Sequence, residues 1–132
     1  MKSFEHIVTC LGGGLVLTTL NVIFGKMDYS ITFLILAMCM DFATGMLSGA
    51  MEGHLSSKIC TKGLCKKLII LLYVVLAHHL DVLLNVDYIR MAVCYLYICG
   101  EVLSIIENGT KLGVPIPEPI KKALDIIDNG GE

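Results

Sequence analysis

Residues 68–106 read LIILLYVVLAHHLDVLLNVDYIRMAVCYLYICGEVLSII. The stretch is two apolar runs, Leu68 to Val86 and Tyr88 to Ile106, meeting at Asn85, Val86 and Asp87. Each run has close to the ~20 residues that a helix needs to cross a hydrocarbon core of ~30 Å, whereas one continuous helix would be about twice too long. The pair therefore reads as a tight helical hairpin. Working outward, two earlier runs of similar length precede it, Ser30 to Met51 and Ile7 to Gly25. The run from Ile7 to Gly25, with Gly12, Gly13, Gly14 and several Thr, is weaker on hydropathy, although such residues are common where membrane helices pack closely. Four crossings is the reading and three the alternative.

The expected fold class is all-α, an integral membrane helical bundle with a short amphipathic tail helix. Residues 1–106 form the transmembrane domain, with spans at about 7–25, 30–51, 68–86 and 88–106 and a basic loop at 52–67. Residues 107–132 form a tail in which Pro115, Pro117 and Pro119 favour extended backbone. Beyond them Ile120, Leu124 and Ile127 recur at helical spacing among Lys121, Lys122, Asp125 and Asp128. Lys2 followed by an apolar run raises the question of a signal peptide, but Lys26 and Asp28 follow without a convincing small-x-small cleavage site, and the segment is read as a mature helix.

Composition agrees with a bilayer as the solvent. The chain is 55% hydrophobic and only 17% charged, with a mean hydropathy of +0.77, well above the usual balance of water-soluble chains. Ten basic residues against 12 acidic ones lack the cationic surplus that nucleic-acid binding requires. Of the cysteines, Cys10, Cys39, Cys94 and Cys99 lie in apolar runs and read as small hydrophobes. Cys60 and Cys65 match neither a redox nor a zinc spacing, so no metal and no cofactor is expected.

Charge placement supplies orientation. With four crossings Lys2, Lys58, Lys62, Lys66, Lys67, Lys111, Lys121 and Lys122 share one side, and Lys26 and Arg90 alone lie on the other. The positive-inside rule then puts both termini and the basic loop in the cytoplasm. The loop lysines would also attract anionic headgroups. Asn108-Gly109-Thr110 matches a glycosylation sequon, which would be silent on that side.

Polar residues inside the spans are the candidates for function. Asp41 lies midway along the second span, where a carboxylate costs about 2.5 to 3.5 kcal/mol to insert, so it must face water or another helix, or sit protonated in the bundle. Gly45, Gly49 and Gly53 continue its face at i+4 spacing and point to close helix packing. His78, His79 and Asp81 cluster toward the outer half of the third span, as a polar lining or relay, or as groups that satisfy one another or Arg90. Glu101 is placed on the inner half of the fourth span, near enough to the interface to reach water. A His/Asp pair with no nucleophile beside it is poor evidence for catalysis, and no enzyme is expected.

In ordered motifs from Asp41 to Pro117 the chain resembles the small phage-holin family that includes the toxin-secretion holins of clostridia. The motifs are Asp41 with Thr44 and Gly45, Leu55-Ser56-Ser57, Gly63 followed by Lys66-Lys67, Asp81, and Glu107-Asn108 leading to Gly113-Val114-Pro115-Ile116-Pro117. Cys60 stands where a small residue such as Gly is expected. The resemblance implies a protein that gathers with its own copies in the cytoplasmic membrane and opens a lesion, releasing an endolysin or a large toxin. It assigns Asp41, Gly45, Ser56, Ser57, Gly63, Lys66, Lys67 and Asp81 as family positions and no catalytic residue. An antiholin, a small ion-coupled transporter or channel, and a membrane anchor for a soluble partner are the alternatives. Met27 is a conceivable internal start that would remove the first span.

Overall fold

The computed structural model describes residues 2–129, with side chains described over residues 5–122 and at Ile126. Among the described residues all regular structure is helical: α1 (Lys2–Phe24), α2 (Tyr29–Met51), α3 (Ser57–Leu84), α4 (Ile89–Lys111) and α5 (Glu118–Asn129). The first four are each long and apolar enough to cross a membrane.

Local chemistry sets the helix ends. Asp28 caps α2 by accepting from the Ile31 amide at 3.2 Å, and Ser56 caps α3 by accepting from the Ile59 amide at 3.3 Å. At the far end of α2, the amides of Gly53 and His54 return to the carbonyls of Ala50 and Gly49, and Gly53 takes φ +71°. This is a Schellman turn. Gly53 therefore lies in the turn past the helix, not on the packing face where the i+4 run from Asp41 places it. Gly113 closes α4 in the same way, and Asn85 takes the left-handed position after α3.

Two boundaries differ from the hydropathy reading. The basic segment expected to be loop through Lys67 is helical from Ser57, leaving a short connection after α2. Hydropathy falls where lysines begin, but lysine is a good helix former and Gly63 is the one weak residue nearby. At 28 residues α3 is about 42 Å long, more than the ~30 Å core, so its first turns project beyond the hydrocarbon. Likewise α4 runs past Ile106 to Lys111.

Packing is uneven. α4 lies along both α2 and α3, while α2 and α3 touch each other little and α1 touches α3 alone. The dry core is small: Ile31, Leu34 and Met38 of α2, Val74 of α3 and Cys94 of α4. Most other large apolar side chains point outward, Leu11 at 70% and Leu96 at 68% exposure among them. In water such a surface would aggregate; in a bilayer it meets lipid.

Candidate functional site: an ion cluster between three helices

The second, third and fourth helices each bring one charged group to a common point. Lys67 Nζ donates to Asp41 Oδ2 at 2.8 Å and to Glu101 Oε2 at 2.5 Å. Asn108 Nδ2 donates to Asp41 Oδ1 at 3.2 Å and to Thr44 Oγ1 at 3.2 Å, and Thr44 in turn donates to the Asp41 backbone carbonyl. Asp41 and Glu101 each stand twelve residues inside their helices, counted from Tyr29 and Ile89. At 1.5 Å per residue both lie about 18 Å from the N-terminal ends of their helices, which is why they meet. Glu101 is only 7% exposed. Two carboxylates thus share one ammonium within apolar surroundings, an arrangement tolerated only because the ions are paired and hydrogen-bonded.

The cluster lies between two cavities of about 280 and 330 Å³. Asp41, Gly63, Lys67 and Ser104 line both, while Asn108 lines the first and Glu101 and Lys66 the second. The absence of a side chain at Gly63 leaves this space open beside the lysine. Gly45 faces Asn108, and a Cβ there would sit 3.5 Å from Asn108 Nδ2, an ordinary contact that does not require glycine. Gly49 packs instead against Leu55 of the α2–α3 connection.

The end of the bundle formed by the α1–α2 and α3–α4 turns carries a second polar group of different purpose. Asp81 is buried and accepts the backbone amides of Ile89 and Arg90, both at 2.9 Å, which caps the start of α4 from the end of α3. Arg90 does not pair with Asp81. Its guanidinium binds Asp28 and donates to the Lys26 carbonyl at 3.3 Å, tying α4 to the α1–α2 turn. Partial burial pushes the Asp28 carboxyl up, but hydrogen bonds from Ser30, Arg90 and the Ile31 amide, with the Arg90 charge, outweigh it. The group settles at about 2 against an ordinary 3.8. The His78 and His79 rings are 5.2 Å apart. His78 packs on Gly25, where φ is +78° and a Cβ would fall 2.6 Å from its Nδ1. His79 points to the exterior.

Of the candidate residues, then, Asp41 and Glu101 come together, and His78, His79 and Asp81 stay about 20 Å away at the other end, given the thirteen residues from Asp28 to Asp41. Of the motif positions read as loop, Ser56 is a helix cap, Ser57 opens α3, Lys66 is exposed and Lys67 is the counter-ion of the cluster. The pairing role of Lys67 and the cap role of Asp28 escaped the sequence reading. One signal was present: Lys58, Lys62 and Lys66 repeat every four residues along one helix face, and Lys67 breaks that face.

Four apolar helices with a charged cluster held among three of them define a multi-pass membrane protein. The chain belongs to the Bacteriophage holin family, whose model matches residues 18–129. Among its relatives are two uncharacterised proteins of Clostridium perfringens. One, from strain 13, is 37% identical over 129 residues, 95% of this chain and 96% of its own length. The other, described as a 14.9 kDa protein in the nagH 3' region, is 36% identical over 95% of this chain and 98% of its own. An uncharacterised protein of Listeria monocytogenes is 36% identical over 107 residues, 80% of this chain and 76% of its own. No solved structure matches.

Proposed function

We propose that this chain is a holin that gathers with its own copies in the cytoplasmic membrane and opens a lesion through which an endolysin, or a large toxin, leaves the cytoplasm. Family membership supports the class, and the Asp41–Lys67–Glu101 cluster is the observation that carries the mechanism. Inside one chain the three ions neutralise each other in part and hold α2, α3 and α4 together, which lets the protein accumulate in the bilayer as a lipid-compatible unit. The cavities beside the cluster are of a size for water, not for a folded protein. A lesion that passes an enzyme therefore needs many copies, with the polar residues turned toward the opening and the apolar faces left on lipid.

On this account the cluster sets the threshold for the change. Replacing Asp41 by Leu leaves Lys67 paired with Glu101 alone, so the protein should still enter the membrane while lysis timing shifts. Matched expression of wild type and D41L beside an endolysin, followed by culture density, checks this. Identical timing would remove the cluster from the mechanism.

A further inference from the structure

Lys26 and Arg90, which the charge pattern singles out as the two basic residues on the outer side, converge on one cavity of about 390 Å³. They come to it from different elements, Lys26 from the α1–α2 turn and Arg90 from the first turn of α4. Asp87, in the α3–α4 turn, and His78, of α3, line it too. Arg90 is engaged by Asp28, and the fourth charged wall residue, Asp81, is spent on two backbone amides. Lys26 and Asp87 differ from these. Among the described residues neither makes an ion pair or a side-chain hydrogen bond with the other or with any third group, although both line the same space. Lys26 and Asp87, both exposed, thus present one cation and one anion to the same polar cavity, which fits a ligand that carries both charges.

We propose that this cavity binds the headgroup of phosphatidylethanolamine from the outer leaflet, its phosphate toward Lys26 with Arg90 and His78 beside it, and its primary ammonium toward Asp87. The lipid is favoured over a soluble zwitterion by what surrounds the opening. Val82, another wall residue, is 66% exposed, and Leu83 and Tyr88 beside it are exposed as well, so acyl chains would continue down an apolar flank. Tyr also favours the headgroup level of a bilayer. Phosphatidylcholine lacks ammonium hydrogens to donate to Asp87, and phosphatidylglycerol lacks the cation altogether, so both should bind less well. This site goes beyond the holin reading and does not depend on it.

Native mass spectrometry of the full chain in detergent, with the three lipids carrying identical acyl chains, tests the proposal. One retained phosphatidylethanolamine per chain is expected, bound at least about tenfold more tightly than the other two. Lys26→Ala and Asp87→Ala should each reduce that binding by about the same factor, and Lys26→Arg should keep most of it. Neither side chain supports the fold, and unchanged helical circular dichroism would confirm that the variants are folded. Equal retention of all three lipids, or a preference untouched by both alanine variants, would overturn the site. Competition by glycerophosphoethanolamine as strong as by the intact lipid would overturn the lipid assignment in favour of a soluble ligand.

Discussion

Lys67 is the residue on which the interior depends. Its ammonium is the shared partner of Asp41 and Glu101, so removing it leaves two carboxylates facing each other in a poorly solvated place. Lys67→Met should cost about 3–5 kcal/mol, the range for breaking a buried ion pair by deleting one member, while Lys67→Arg should retain most of the stability. Unfolding in mixed micelles with increasing dodecyl sulfate, followed by circular dichroism, measures both. Asp28 makes a second prediction, with a definite sign. Its folded value of about 2 lies below the ordinary 3.8, so its contribution is complete above about pH 4 and is lost as pH falls through about 2. The acid-dependent loss of stability in that window should shrink in Asp28→Asn. Sequence alone identified Asp41 as a group needing an explanation, because a carboxylate in mid-span is conspicuous, whereas Glu101, read as near enough to the interface to reach water, is in fact buried against Lys67. It did not identify their partner, because a lysine at the end of a basic run looks like any other headgroup anchor until the helix register is known.

At the scale of the element, the hydrophobic runs were legible because bilayer thickness constrains them directly, and the helix ends were not. Helix α3 begins well before its apolar run because hydropathy and helix propensity part company over Lys58, Lys62, Lys66 and Lys67. Ser56 is what starts it. Ser56→Ala should destabilise the protein by about 1 kcal/mol through loss of the cap to the Ile59 amide, and the same micelle titration reads it. Gly53 shows the opposite failure. Its spacing from Gly45 and Gly49 continued a packing stripe on paper, whereas the helix ends at Met51 and the glycine is needed for its left-handed turn.

Across the whole molecule, two clamps hold the three later helices. Arg90 with Asp28 ties the ends at the α1–α2 and α3–α4 turns, and Lys67 with Asp41 and Glu101 ties the interior. Between them lies a small apolar core, and around it a surface suited to lipid or to further copies of the chain. The central claim is that such units, once numerous enough, open the membrane to a folded protein. Inducing the chain in a bacterium with and without a cytoplasmic endolysin, and recording membrane potential alongside culture density, tests it most directly. The account predicts abrupt depolarisation at a set time in both cultures, with lysis where the endolysin is present. Steady growth with an intact potential in both would contradict it.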